Sequence, residues 1–454
     1  MTTLVPALQT LNHSNQPLVK KANRYNIYII PGLLLSVLGV YYTALAHDFQ
    51  KLWDDQWVVI NYYTEGGWGW DNIWIILTDF YHGQYAPVNQ LYYTALYSLF
   101  GYNPFWFHAG SVLVHMCNVI LCYSLITRLL FQVTQFEEKT VIRIAFLTAL
   151  LFAVHPFLVE AVAWVSASKV VLYALFYLIA LHFYLTYINK GKGIHYALTL
   201  VFFIISFGAK EQAVTLPVCL LLIDTALRRN FNNKQIWLEK APFFVLALFF
   251  GILTFLSQGI VENGALAGKQ FYPFYQRIAL SGYTLSEYFF KCVLPVKLSY
   301  IYPFPMPVGA ALPVRFYFYC GMVLLAIAGL FYAWRINWLF FGFAFFLIHV
   351  AIVLNFISLS RFTIVADRYV YLASIGLFFI MACLLNNAVE RYRRYWKGLV
   401  LVAVLYVLSL GLYAHQRCLV WRNSITLKKE IKDLLKQNAG FNSQKQNQKW
   451  ELTN

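Results

Sequence analysis

Two adjacent carboxylates, Asp54 and Asp55, stand in the run Leu52-Trp53-Asp54-Asp55-Gln56-Trp57, just after a long apolar segment and among Trp and Tyr. Successive residues point in different directions. One carboxylate can therefore exchange a proton with a reacting group while its neighbour holds a hydrogen-bond donor or a cation. The alternative reading is local: Asp is a favoured N-cap, and the pair can cap the helix that follows.

Other polar residues recur at the edges of apolar segments. They are the stretch 82–87 with His82, His155-Pro156 with Glu160 and Lys169, Lys210-Glu211-Gln212, the stretch 300–305 with Tyr302, and Arg361 followed by Asp367-Arg368-Tyr369. Polar side chains at membrane depth are costly and tend to be functional. Each of these sets is also readable as a snorkelling anchor or a structural ion pair. Together, four basic residues facing a carboxylate pair suit a phosphate at headgroup level, bound by Arg361, Arg368, Lys210 and Lys169 through charge-assisted hydrogen bonds. Arg361 and Arg368 are seven positions apart. On a helix that separation is about two turns, roughly 10 Å on one face.

The elements that must hold these residues are membrane helices. The composition is 60% hydrophobic, 19% aromatic and only 12% charged, which excludes a soluble domain and gives an all-α, polytopic membrane protein. The formal charge of +16 does not imply nucleic acid, because in a membrane protein the placement of basic residues sets topology. The seven cysteines form no CxxC pair and lie mostly in apolar runs, so neither a metal site nor a disulfide framework is expected. Residues 1–24 form a polar tail ending in Lys20, Lys21 and Arg24, followed by an apolar segment over 25–46 that is long enough to span. Further spans are expected over 105–130, 144–154, 170–188, 196–207, 214–227, 242–257, 316–334, 338–356, 369–389 and 399–414, about eleven in all. The basic residues then fall on one side, with Arg128, Arg143, Lys190, Lys192, Arg228, Arg229, Lys234, Arg391, Arg393, Arg394 and Lys397. The acidic loop 47–104 and the C-terminus fall on the other. That alternation requires the segment 272–295, which carries Arg277, Glu287 and Lys291 at helical spacing, to be an external amphipathic or re-entrant helix.

The run His155-Pro-Phe-Leu-Val-Glu160-Ala-Val-Ala-Trp-Val-Ser-Ala-Ser-Lys169 resembles the transmembrane-and-tetratricopeptide-repeat glycosyltransferases, whose animal members are O-mannosyltransferases. So do Lys210-Glu-Gln-Ala-Val-Thr-Leu-Pro217, Tyr302-Pro303, Ala366-Asp-Arg-Tyr-Val-Tyr-Leu-Ala-Ser-Ile-Gly376 and Gly101-Tyr-Asn-Pro-Phe-Trp-Phe-His108. The likeness runs in register from about Asp54 to Trp421. It implies a GT-C-like catalytic bundle over 25–418 and a polyprenyl- or dolichyl-phosphate-linked sugar as donor. It also implies transfer, with inversion, to a protein or glycan hydroxyl, with Asp54 or Asp55 as general base and Asp54 favoured. His82, His155, Glu160, Glu211, Tyr302, Asp367 and Tyr369 are expected to line the site. Ser168 and Val170 flank Lys169 where relatives often carry Arg and Asp, and His82 stands near an Arg position of animal members. The expected location is a bacterial inner membrane, with the site on the periplasmic side. No cofactor is expected, and a divalent metal is not indicated.

After Trp421-Arg422-Asn423-Ser424 the family would enter its repeats. Here 425–437 can form one helix, and the chain runs on in a Gln/Asn/Ser/Lys-rich stretch expected to be disordered, so that 419–454 is an external tail. Acceptor-binding repeats are then expected from a partner chain, since a period near 34 residues cannot recur in so short a tail. A transporter or flippase of a lipid-linked or anionic substrate is the competing class. It should carry internal repeats and ionisable groups at the membrane midplane. Neither is found, because the charges cluster at one surface. A catalytically silent scaffold is the third reading.

Overall fold

The computed structural model describes residues 25–133, 136–261, 272–356 and 363–437. The N-terminal tail, Arg361 and the stretch beyond 437 lie outside the described residues. Among the described residues the chain is all-α, and its only β pairing is in isolated bridges.

The first helix, α1, covers Tyr25–Ala46. The acidic loop folds into short helices α2 (Asp55–Val58), α3 (Tyr62–Glu65) and α4 (Trp70–Thr78), then α5 (Pro87–Phe100). The long α6 (Pro104–Val133) returns to the opposite end, and α7 (Glu138–Val154) comes back. Pro156 cannot continue α7, because it lacks the N–H that a helix interior needs. The chain bends by 54° there into α8 (Val159–Ala163). The next helices are α9 (Ser168–Lys190), α10 (Gly193–Ala209), α11 (Leu216–Ala226) and α12 (Lys234–Val261). They are followed by α13 (Phe274–Val293), α14 (Val314–Tyr317), α15 (Cys320–Ala333) and α16 (Asn337–Val350). The last three are α17 (Ser374–Arg391), α18 (Trp396–Val420) and α19 (Ser424–Gln437).

Each of the eleven expected spans contains a helix. Among the described residues, seven helices are long and apolar enough to cross a membrane by themselves, and the bent α7–α8 pair would make an eighth. The helices α10, α11 and α16 are shorter. Helix α17 starts at Ser374 rather than near 369, because 367–370 is a 3-10 turn. The part of the 361–368 segment that is described is extended: Val365 bridges Tyr302, and the Ile364 N–H donates to the Tyr302 carbonyl at 2.9 Å. No helix runs through 363–366 towards Arg368, and the expected Arg361 partner lies outside the described residues.

Helix α13 is absent from the spanning set. Its first residues and the chain beyond it lie side by side, since the Tyr272 hydroxyl donates to the Met306 carbonyl and the Gln276 amide to that of Ala310 at 3.1 Å. The far end of α13 meets the middle of α18, where the Tyr406 hydroxyl donates to the Val293 carbonyl at 2.5 Å. The segment thus enters the bundle and comes back to the level from which it left.

The core lies between α6, α7, α9, α16 and α17, with Val119, Phe152, Tyr177, Phe346 and Phe378 fully buried. The bundle end opposite the acidic loop is tied by a buried charge network. There Asp224 accepts from Tyr184 at 2.6 Å and pairs with Lys240 at 2.6 Å, while Arg229 bridges Asp224 and Glu239.

Candidate active site

Asp55 is fully buried. Its carboxylate accepts from the Gln50 N–H at 2.7 Å, from the Ser166 N–H at 3.0 Å and from the Ser166 hydroxyl. These bonds bolt the acidic turn to the 3-10 turn Val165–Ala167 between α8 and α9. Burial pushes the Asp55 carboxyl above its ordinary range, and the bonds from Ser166 and Gln50 oppose that rise. With both oxygens committed, Asp55 is an anchor of the turn.

Asp54 is turned the other way. It stands at the N-cap of α2, but its carboxylate caps no backbone N–H of that helix, so the capping alternative does not hold. It is half-buried and lies within electrostatic reach of Lys169, Arg368 and Glu160. Burial raises its carboxyl above the usual range, while the positive charges of Lys169 and Arg368 and the Trp57 side chain pull it back.

Three cations gather opposite Asp54. Lys169, in the first turn of α9, donates to the Gln84 carbonyl oxygen Oε1 at 2.7 Å. Lys210 is buried at the end of α10, where an extended backbone turns its ammonium over the Tyr369 ring, 5.3 Å from the centroid. Arg368 sits in the 3-10 turn before α17 and pairs with Glu160 of α8, whose second oxygen accepts the Arg368 N–H at 2.9 Å. Its guanidinium lies over Trp164 at 5.4 Å and Tyr369 at 5.0 Å. Lys169 is in electrostatic reach of Lys210, Glu211, Arg368 and Asp54. Five charged groups, Asp54, Glu160, Lys169, Lys210 and Arg368, thus meet from five separate elements at one end of the bundle. His82 is at the rim, its ring 4.9 Å from that of Trp57.

Three expected residues stand apart from this cluster. His155 is fully buried, its Nδ1 accepting the Phe157 N–H at 3.2 Å and its ring against Phe378, so it caps the turn after Pro156. Asp367 points to Arg417 of α18 at 2.8 Å. Tyr302 lies under the Lys291 ammonium at 4.0 Å, and its hydroxyl accepts the Ser299 N–H. These two belong to a neighbouring network that joins α13, α18 and the 3-10 turn.

Several contributors went unmarked in the sequence. Ser166 and Trp164 lie inside the 155–169 run, but nothing local distinguishes them from packing residues. Arg417, a buried cation in the last turn of the apolar α18, carried a signal by its cost alone. The turn after α18 clasps the acidic loop: Asp48 N–H donates to the Arg422 carbonyl at 2.9 Å, the Gln50 amide to the Trp421 carbonyl at 2.7 Å, and the Leu52 N–H to the Ser424 hydroxyl at 3.1 Å. Trp421 stacks on Trp164 at 5.3 Å.

The fold and site define a polytopic helical membrane protein with a mixed-charge cluster at one end of its bundle. Its sequence is similar to protein O-mannosyl-transferases of the TMTC kind, as the motifs implied. It is 32% identical to human protein O-mannosyl-transferase TMTC1 over 156 residues, and 36% identical to the mouse protein of that name over 114. It is 30% identical to human protein O-mannosyl-transferase TMTC4 over 168 residues. These matches take in 30%, 24% and 34% of this chain, but only 16%, 11% and 22% of the relatives. No family model matches. A crystal structure of the Archaeoglobus fulgidus oligosaccharyltransferase tethered with an acceptor peptide superposes with a TM-score of 0.46 at 12% identity, covering 87% of this chain and 55% of that one.

Proposed function

We propose that the protein is an integral-membrane glycosyltransferase that moves a sugar from a polyprenyl-phosphate donor to an acceptor hydroxyl, with Asp54 as general base. The observation that carries this reading is the division of labour in the acidic pair: Asp55 is spent on three donors, while Asp54 faces Lys169 and Arg368. The reaction needs an anion to take the acceptor proton and cations to stabilise the departing lipid phosphate, whose charge grows as the bond to the sugar breaks. Lys169, Lys210 and Arg368 supply the cations, with Arg361 expected to join them. The hydroxyl oxygen attacks the anomeric carbon opposite the phosphate, its proton passes to Asp54, and the lipid phosphate leaves with the bonding electrons. The acceptor is a protein or glycan hydroxyl, in keeping with the names of the relatives. The basic residues at the opposite bundle end favour a cytoplasmic location for that end. The site then faces the periplasm of a bacterial inner membrane.

The test is complementation of a deletion strain, followed by mass spectrometry of its protein and envelope glycans. Asp54→Asn should fail to restore the missing glycan at wild-type protein level, since a positioned base contributes about 100- to 10,000-fold. Restoration by Asp54→Asn would remove the base assignment.

A further inference from the structure

The cleft beside the acidic pair has a shape and chemistry that the base and phosphate assignments leave unused. It lies between α2, α3, the end of α4 and the start of α5, and it is an open groove with an enclosed volume of about 50 Å³, so a ligand there rests one face on its walls and leaves the other outside. Its walls are the rings of Trp57, Tyr63 and Tyr81, with Tyr81 edge-on to Tyr63 at 5.0 Å. Its polar groups include Asp79, Gln84 and Gln90.

The cleft is tied to both halves of the cluster. Trp57 is the aromatic neighbour of Asp54, and the Gln84 carbonyl holds the Lys169 ammonium at 2.7 Å. A tight turn brings Tyr81 and Gln84 to the same wall, with the Gln84 N–H donating to the Tyr81 carbonyl at 3.0 Å. That turn holds His82 at a φ of 48°, a left-handed conformation that residues other than Gly seldom adopt. Such strain persists only where the surroundings impose it, and it gathers at ligand sites.

On these observations, and resting on the transferase reading above, we infer that this cleft holds the hexopyranosyl ring of the donor, with its phosphate at Lys169. A pyranose offers an apolar C–H face to an aromatic wall and hydroxyls at its rim. Asp79, exposed and accepting from the Tyr63 hydroxyl and the Phe80 N–H, keeps lone pairs for those hydroxyls. Because Gln84 gives its carbonyl to Lys169, its NH2 group is left as a donor. The Asp79 carboxylate repels an anion. The phosphate is therefore directed past Gln84 to Lys169, and the ring between them is left beside Asp54.

Binding of farnesyl phosphate and of mannosyl farnesyl phosphate to the full chain in detergent tests this. Asp79→Asn and Tyr81→Ala should each raise Kd for the mannosyl lipid about tenfold, the loss of about 1.4 kcal/mol. Farnesyl phosphate binding and the melting temperature should hold. Lys169→Gln should weaken both ligands. If the two cleft variants leave the mannosyl lipid unaffected, or weaken both lipids equally, the sugar assignment is overturned while the phosphate assignment stands. If the wild-type chain binds neither lipid, both fall.

Discussion

At the scale of single residues, the two carboxylates differ in what holds them. Asp55 sits among three donors that fix its position. Asp54 has its ionised form supported mainly by charge at a distance, with burial working against it. The sign of a pH effect follows. A base must be ionised to act, so transfer should fall as pH drops through the Asp54 pKa, which lies above the ordinary Asp value of about 3.9. Lys169 lowers that pKa. Lys169→Gln should therefore move the acidic limb of kcat/KM to higher pH, besides weakening donor binding. A pH–rate profile of the variant beside wild type checks this, and an unmoved limb would mean that the limb does not report Asp54. The pair was legible because its members are adjacent in the chain. Their roles were not, because they are set by Ser166, 111 positions away, and no local pattern announces that contact.

At the scale of elements, helix existence followed from apolar length, while helix contacts did not. Lys169, Lys210 and Arg368 could be assigned to one end of the bundle because each ends or begins an apolar run. That Arg368 pairs with Glu160 and Asp367 with Arg417 depends on the 3-10 turn before α17, whose direction no periodicity encodes. The position of that turn depends in part on how closely α16 and α17 cross. A Cβ built on Gly376 would come 2.2 Å from the Gly342 carbonyl oxygen and 2.9 Å from the Phe346 nitrogen, both backbone atoms that cannot swing aside. Two effects oppose in Gly376→Ala. Helix propensity favours Ala by about 1 kcal/mol. Overpacking a closed contact costs about 1–3 kcal/mol, and with backbone on the other side the upper part of that range applies. The variant should melt several degrees lower in detergent and lose transfer through displacement of Arg368. A melting temperature equal to or above wild type would show that the two helices do not need this approach.

For the whole molecule, the question is which residues share a side of the membrane. Alternation of basic and acidic connections placed the cluster and the acidic loop together, and it required one helical stretch, 272–295, not to cross. The structure accounts for that stretch physically. Helix α13 carries Arg277, Glu287 and Lys291, which a lipid-facing span could not hold cheaply. Each has a partner in the protein: Arg277 donates to the Phe356 carbonyl at 2.8 Å, and Lys291 pairs with Glu287 at 2.6 Å and lies over Tyr302. A 20-residue helix is about 30 Å long. The chain from Val293 to Met306 has 13 residues, which at about 3.3 Å each can return over that distance. The bond from Tyr272 to Met306 closes the excursion. Single cysteines at Phe274 and Val308, both exposed, measure this directly in a background without the partly exposed Cys117 and Cys320. Phe274→Cys and Val308→Cys should both react with an impermeant thiol reagent from the side on which Thr78→Cys, in the acidic loop, reacts. Arg394→Cys, at the basic end, should react only after the membrane is opened. Labelling of Phe274→Cys and Val308→Cys from opposite sides would make α13 a span. The connections after it would then change sides, Arg368 would be parted from Asp54, and the shared site would not exist.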